Sequence, residues 1–388
     1  MPPFQPASQE RVIFNVEWFD PESSLTRDMI LYFYIDDGSV ELFDRRTNRT
    51  FLKRTQVSTI GCKDLSLGSH ITILGRHMRI VEYANERTRT FFEEDSQTTF
   101  ALVKPAAVQH LGKILQIIES EGLKITRARM VQLERHEADR FFAEEQAHCQ
   151  AAELLAYLTA GPCVALQLTG RDAVLRWRSL MGTTDCLTAG EECADTIQRQ
   201  FGADRANNAL HGSTGCEAAA RDLRFFFPAA GAPRPLTSAR LAADGSCCVI
   251  LPHVLAERRL GDVVAAIQAS GRLAVTALDL MTLTGPEAER LLEVYRGVLP
   301  ECGKMVAQMS SGPLVALELS GVEEGQDTVE VLRELAGPRD PHLAALLRPE
   351  SLRARFGKDL IANAVYCTDL HEDSLMDREY LFRILQPC

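Results

Sequence analysis

One segment of this chain is written twice, and the two versions differ at a single residue of great chemical weight. Asn208-Ala209-Leu210-His211-Gly212-Ser213 lies seven residues after Phe201-Gly202, and Asn363-Ala364-Val365-Tyr366-Cys367-Thr368 lies seven residues after Phe356-Gly357. The same spacing of 155 positions relates Gly182 to Gly337. Upstream it shrinks, to 151 between Gly161-Pro162 and Gly312-Pro313 and to 147 between Lys104-Pro105 and Leu251-Pro252. A unit of about 150 residues with small insertions is the size of one compact domain, so the chain reads as a duplication. One copy carries histidine where the other carries tyrosine.

Composition limits what else the chain can be. Its 388 residues allow two to three domains. A formal net charge of −11 argues against a nucleic-acid partner, whose binding surface is basic. The eleven cysteines are scattered, without a C-x-x-C and with one adjacent pair, Cys247-Cys248. That pattern suggests neither a disulfide framework nor a zinc site, and a reducing, cytoplasmic compartment is expected. There is no run of 18 apolar residues and no apolar stretch near Met1, so neither secretion nor a membrane span is expected.

Residues 10 to 95 read as a small, mostly β domain. Val12 to Trp18, Ile30 to Tyr34, Val40 to Phe43 and His70 to Leu74 are β-branched and aromatic runs, with a hairpin signal at Asp36-Asp37-Gly38-Ser39. No long helical period interrupts them, and Glu93-Glu94-Asp95-Ser96 reads as a polar break. From Thr99 the pattern alternates. Strands are expected at Phe100 to Val103, Ile125 to Leu133 and Val164 to Leu168. Helices are expected around Val108 to Ile118, at Ala151 to Thr159, at Ala173 to Leu180 and at Cys216 to Phe226. Such interleaving predicts an α+β fold of ferredoxin type over 96–228. Residues 229–245, rich in Pro, Ala and Gly, read as a linker before the second copy at 246–388.

Leu102-Val103-Lys104-Pro105, Ala160-Gly161-Pro162, Met181-Gly182 and the His211 segment, in that order and spacing, resemble a nucleoside diphosphate kinase. The N-terminal runs Val16 to Pro21, Asp37 to Glu41 and Arg49 to Arg54 resemble a DM-10 domain. Together they resemble the nucleoside diphosphate kinase 7 family over residues 10 to 388. The resemblance implies a DM-10 β domain followed by two ferredoxin-like kinase domains. It also implies a place in the cytoskeleton of the ciliary or flagellar axoneme, as a microtubule inner protein of the doublets, with tubulin and other doublet proteins as partners.

The family passes a γ-phosphate from a nucleoside triphosphate to an enzyme histidine and on to a nucleoside diphosphate, with Mg2+ carried on the bound nucleotide. Imidazole suits this because it is nucleophilic when neutral near pH 7. The resemblance makes His211 the catalytic nucleophile and Lys104, Gln150, Arg178, Thr184, Gln198 and Asn208 the nucleotide-binding positions, with Ser213 beside the histidine. Several of these depart from the family. Gln198 replaces a phosphate-binding arginine (with Arg199 adjacent), Gln150 a stacking phenylalanine, Phe142 a tyrosine, Thr214-Gly215 an Asp-Ser pair, and Asp222 a glutamate that orients the histidine. In the second copy Leu251 replaces the lysine, Tyr366 the nucleophile and Arg339 the threonine, while Arg333, Arg353 and Asn363 remain. A phenol is mostly protonated at pH 7, so this copy is not expected to be a kinase.

Two functions follow as expectations. One is a structural component of axonemal doublets with at most weak phosphotransfer through His211; the other is a working nucleoside diphosphate kinase. The run Arg45, Arg46, Arg49, Lys53 and Arg54, ten residues without an acid, is a candidate contact for an acidic partner such as tubulin.

Overall fold

Alternation builds the N-terminal unit. Along β1 (Arg11–Asp20), Val12, Phe14, Val16 and Trp18 are buried, while Ile13, Asn15 and Glu17 between them are half-buried, the mark of a strand with one face on a core. The computed structural model describes residues 11–20, 25–57, 60, 61, 65, 68–94, 97–143, 151–182, 196–202, 208–229, 236–241 and 244–385. The chain divides into two compact units, Met1–Ser96 and Gln97–Cys388.

In the first unit β1 is joined by β2 (Leu25–Tyr34), β3 (Ser39–Asp44), β4 (Arg49–Gln56), β5 (His70–Ile73) and β6 (Arg76–Tyr83). They form one antiparallel sheet in the order β4-β3-β2-β1-β6-β5. The hairpin between β2 and β3 turns where the sequence signals it. Gly38 takes φ +66°, and the Asp37 carboxylate accepts from the Ser39 N–H at 3.0 Å and hydroxyl at 2.6 Å. The polar break expected at Glu93-Glu94-Asp95-Ser96 coincides with the boundary between the units, and its first two residues end a helix that the sequence did not signal, α1 (Glu86–Glu94). Its apolar contacts fall in the last turn, where Phe91 and Phe92 pack on the sheet and the Phe92 ring lies 5.3 Å from Phe14, while buried Thr88 in the first turn accepts the Ile13 N–H at 2.9 Å. Two adjacent aromatics leave no helical periodicity to read.

The basic run lies along the edge strand β4 and the turn before it. Arg45, Arg46, Arg49 and Lys53 are exposed. Arg54 does not belong to a free cationic face: it bonds Asp37 at 2.7 Å and Ser39 at 2.7 Å, and its guanidinium lies 3.8 Å over the Tyr34 ring.

In the second unit the first copy comprises β7 (Gln97–Val103), α2 (Leu111–Ser120), β8 (Lys124–Gln132), α3 (Arg135–Phe141), α4 (Ala151–Thr159), β9 (Cys163–Gly170), α5 (Ala173–Met181), α6 (Ile197–Phe201), β10 (Leu210–Gly212) and α7 (Cys216–Phe226). A two-residue strand, β11 (Leu236–Thr237), follows. The second copy runs through β12 (Ser246–Ile250), α8 (Pro252–Ala256), α9 (Leu260–Ala269), β13 (Leu273–Thr282), α10 (Gly285–Leu291), α11 (Cys302–Met309) and β14 (Pro313–Gly321). It continues with α12 (Thr328–Ala336), α13 (Pro341–Leu347), α14 (Leu352–Phe356), β15 (Val365–Cys367) and α15 (His371–Glu379), which runs into a π-helical turn at Tyr380–Ile384.

The two copies share one sheet, ordered β10-β7-β9-β8-β13-β14-β12-β15, with β11 beside β8. The order is a palindrome: each copy contributes the same four strands, and β8 meets β13 at the middle. There Arg129 pairs with Asp279 in sequence register, and their buried side chains form an ion pair at 3.6 Å. The strands that carry His211 and Tyr366 therefore occupy opposite ends.

Helices α2 and α9 pack against each other at this join. A Cβ on Gly112 would stand 2.2 Å from the Ala265 backbone nitrogen, and one on Gly261 would stand 2.3 Å from that of Gln116. Only glycine permits this approach. It also brings each helix's first turn within reach of a side chain from the other. Gln268 accepts the Gly112 N–H at 2.9 Å, and the Glu119 carboxylate accepts the Gly261 N–H at 2.8 Å and the Leu260 N–H at 3.2 Å. First-turn amides have no partner within their own helix, so the caps are reciprocal. Leu111, Leu115 and Ile118 join Val263, Val264 and Ile267 in a single core spanning both copies.

The expected linker is not a free tether in its described part. Leu236 and Thr237 pair with Gln132 and Val131, and the buried Glu318 carboxylate accepts the N–H groups of Arg240 and Leu241 at 2.8 Å each. Glu318 also pairs with buried Arg378 at 3.1 Å. A short strand embedded in Pro- and Ala-rich sequence gives no periodic signal, because its order comes from β8 and Glu318.

Gly261→Ala should destabilise the chain by about 2–4 kcal/mol, because its methyl group collides with backbone that cannot step aside. Gly303→Ala, on α11 where an added Cβ meets nothing within 4 Å, should instead stabilise by about 0.5–1 kcal/mol. Denaturant unfolding of the two variants checks the contrast, and equal effects would refute the close helix approach.

Candidate active site

β10 is three residues long and carries His211 on the edge of the sheet, paired to β7 with His211 opposite Leu102. The ring is packed by aromatics at right angles: Phe141 at 5.4 Å and Phe142 at 5.2 Å between centroids. Its side chain remains 14% exposed, so one edge is reachable. Nε2 lies 3.8 Å from Oδ2 of Asp222 on α7. That is an ion-pair distance rather than a hydrogen bond, as suits aspartate in place of a longer glutamate. The same Oδ2 accepts the Ser213 hydroxyl at 2.6 Å, which fixes the carboxylate. Burial pushes the Asp222 pKa up. Interactions with His211 and Ser213 and the nearby charge of Arg221 outweigh burial, and the net shift is down. Asp222 is therefore ionised at neutral pH.

Lys104 stands at the end of β7, buried, with Nζ 2.6 Å from Oδ1 of Asn208 and 5.6 Å from the Phe142 ring centre. Its backbone N–H bonds the Ala209 carbonyl, which ties this lysine to the strand of His211. The structure thus brings Lys104, Asn208, His211, Ser213 and Asp222 together. Arg178 is exposed on the last turn of α5. Gln150 and Thr184 lie outside the described residues. Gln198 departs from the expectation of a nucleotide contact. It is 1% exposed, and its amide bonds the backbone of β10 and its approach, with Oε1 on the Ala209 N–H at 2.9 Å and Nε2 on the Leu210 carbonyl at 3.0 Å.

The second copy keeps the frame and seals the space. Tyr366, at the position of His211, is buried and donates to Oδ2 of Asp377 at 3.0 Å; Thr368, at the position of Ser213, donates to the same oxygen at 2.8 Å. Burial first, then the Asp377 charge, pushes the phenol pKa well above its ordinary value. Leu251 stands in place of Lys104. Arg339, in place of Thr184, neither faces an open pocket nor stands alone: it lies 5.4 Å over Tyr295 and 3.6 Å from Glu301. Tyr295 meets Tyr366 edge-on at 6.3 Å. With Met305, Met309 and Asn363 these residues leave a cavity of about 20 Å³, room for roughly one water. No nucleotide fits it.

Arg353, one of the arginines retained in this copy, is buried and donates to the carbonyls of Val365 and Gly337. Arg333 is exposed, 4.0 Å from Asp369. The plug residues Tyr295 and Met305 carried no sequence signal, since nothing in their spacing points to Tyr366. Among the described residues no group of three or more His, Cys, Asp or Glu side chains could hold a metal ion, and no helix is long and apolar enough to cross a membrane.

The family described as nucleoside diphosphate kinase matches residues 97–231 and 244–385, both copies in full. The chain belongs to this family. It is similar to nucleoside diphosphate kinase homolog 7 of Rattus norvegicus, with 37% identity over 376 residues, covering 97% of this chain and 94% of the rat protein. That whole-length match includes the N-terminal β unit and places the chain with the homolog 7 group. A nucleoside diphosphate kinase of Bdellovibrio bacteriovorus is 38% identical over 133 residues, 34% of this chain and 92% of the bacterial protein. The solved kinase of Aquifex aeolicus shares 33% identity, covers 33% of this chain and 92% of its own, and gives a TM-score of 0.32. The family generally uses Mg2+ with the bound nucleotide.

The paired carboxylates titrate in opposite directions. Asp377 is pushed up to about 6, first by burial and then by the charges of Asp373 and Asp369, against the hydrogen bonds from Thr368 and Tyr366. A raised folded-state pKa means that ionising Asp377 destabilises the fold. The penalty is absent below the unfolded value of 3.8, grows as pH rises, and is complete above about 6. Both donors use one oxygen, which the Asn carbonyl reproduces. Asp377→Asn should therefore be more stable than wild type above pH 6, by roughly 2–3 kcal/mol at most, with the gap closing below pH 4. Urea unfolding across this range checks the sign, and a gap that widens on acidification would contradict it.

Proposed function

We propose that the chain carries one phosphotransfer site, in its first kinase copy, and that His211 takes the γ-phosphate of a nucleoside triphosphate and returns it to a nucleoside diphosphate. The observation that carries this reading is the His211–Asp222–Ser213 alignment, with the ring still reachable, against the sealed Tyr366. Nε2 faces Asp222, so Nδ1 is the nitrogen left for phosphorus. Attack forms the N–P bond and breaks the bond to the leaving diphosphate oxygen, and the positive charge that develops on the ring is balanced by ionised Asp222. Lys104 and Asn208 offer a cation and an amide toward the phosphates, while Mg2+ arrives on the nucleotide. Gln198 supplies no cation to the moving phosphoryl group. The absence of one such contact costs about 3 kcal/mol, roughly a hundredfold in rate, so slow turnover is expected.

Incubation with γ-labelled ATP and magnesium should give an acid-labile phosphoenzyme. His211→Ala should abolish the label and Tyr366→Phe should leave it unchanged. Label surviving in His211→Ala would sink the assignment.

A second reading is favoured by the sealed second copy, which keeps its whole fold without a binding space. Its surface rather than its chemistry is then what the chain uses. With the resemblance to the nucleoside diphosphate kinase 7 family, this supports a structural role in the axonemal doublets of cilia, with tubulin among the partners. Tagged full-length chain expressed in ciliated cells should stay with axonemes through high-salt extraction, because multivalent attachment survives the screening of one patch. Reversing the charges of Arg45, Arg46, Arg49 and Lys53 should weaken incorporation. A full-length chain that washes off as readily as one lacking the β unit would overturn this role.

A further inference from the structure

The residue that stands in for a family arginine makes a bond pattern with its own logic. β10 is a sheet edge, with β7 on one side and, among the described residues, no strand on the other. On that side lies the Gln198 side chain. Its amide offers a carbonyl acceptor and two N–H donors, and the oxygen and one N–H are engaged by consecutive residues before the histidine: Ala209 N–H donates to Oε1 at 2.9 Å, and Nε2 donates to the Leu210 carbonyl at 3.0 Å. The Ala209 carbonyl is taken by the Lys104 N–H at 2.9 Å. The two residues leading into His211 are thus bonded from both sides.

The second copy shows what changes with the side chain. Arg353 occupies the matching position, buried, and donates to the Val365 carbonyl at 3.2 and 3.1 Å, the counterpart of Leu210. A guanidinium has no acceptor, so it cannot take the N–H of Ala364. Ala364 sits at φ +76°, in the left-handed region that strains a side-chain-bearing residue, whereas Ala209 is not among the positive-φ residues. The donor half of the clamp is common to both copies; the acceptor half belongs to glutamine alone.

We infer that Gln198 is a positioning residue, which holds the backbone of Ala209 and Leu210 so that the His211 ring faces its incoming phosphate, and that it is not a nucleotide contact. The consequence for turnover rests on the phosphotransfer reading of His211; the clamp itself does not. A misplacement of about 1 Å at a reacting group costs up to a hundredfold in rate, and a clamp loosened by one side chain falls within that range.

The test uses the full chain with Gln198→Leu, which keeps bulk and removes both polar ends, and Gln198→Arg, a side chain the second copy already accommodates at this position. Three quantities are measured: ADP affinity by calorimetry, phosphoenzyme formation in a single turnover at saturating MgATP, and hydrogen exchange of the Ala209 amide. Gln198→Leu should bind ADP within about twofold of wild type, form phosphoenzyme about tenfold to a hundredfold more slowly, and lose protection at Ala209. Gln198→Arg should also lose that protection, since the acceptor is gone, and it carries this measurement if the leucine variant does not fold. An ADP affinity at least tenfold weaker in Gln198→Leu, with the saturated rate preserved, would make Gln198 a nucleotide contact and overturn the proposal. Unchanged Ala209 exchange in both variants would overturn it as well. If the wild-type chain takes no label, the phosphotransfer reading falls, and Ala209 exchange alone decides the clamp.

Discussion

The approach of α2 to α9 is the contact on which the rest of the second unit depends. Two helices this close require that neither present a Cβ at the crossing, and Gly112 and Gly261 meet that condition. Proximity then lets Glu119 and Gln268 cap each other's helices, where amides would otherwise be buried without partners. The join also brings β8 beside β13, so that two half-sheets become one. Burying Arg129 with Asp279 at that seam adds little net stability by itself, because desolvation offsets the attraction. It does fix the register: shifting either strand by a residue would leave one buried charge alone.

Within this common frame the two sites have moved apart by a few substitutions. Asp222 and Asp377 occupy equivalent positions, and each accepts a hydroxyl from the residue just after the preceding strand, Ser213 and Thr368. What differs is the ring. Imidazole can carry positive charge and so adds charge attraction to its bonding, while a phenol offers its carboxylate a hydrogen bond alone, so burial and the charges of Asp373 and Asp369 prevail and Asp377 rises to about 6. The surroundings of the two rings differ as well. His211 is walled by phenylalanines but stays 14% exposed, whereas Tyr366 meets Tyr295 edge-on beside a cavity of about 20 Å³.

Position 198 and its counterpart 353 show why a family pattern needs a structure beside it. Both side chains serve the strand that bears the ring, glutamine with two bonds and arginine with donors only. A buried polar group must be satisfied somewhere, and in both copies the nearest unsatisfied groups are the carbonyls and amides of a sheet edge.

Much of the chain was legible in its sequence. Alternation marked β1, the Asp37-Gly38 turn marked the hairpin, and helical spacing marked α2, α5 and α7, because periodicity within an element reports which face it buries. The duplication and the change from His211 to Tyr366 needed no coordinates, and neither did the family. What the sequence could not fix were contacts between positions far apart in the chain. The clamp joins Gln198 to Ala209, the caps join Glu119 to Gly261, the plug sets Tyr295 on Tyr366, and Glu318 orders Arg240 and Leu241 in apparent linker. Helix α1 went unseen because two phenylalanines are too few to show a period. Each of these was decided by which groups the folded chain brings within hydrogen-bond or van der Waals reach, and no local pattern of residues encodes that distance.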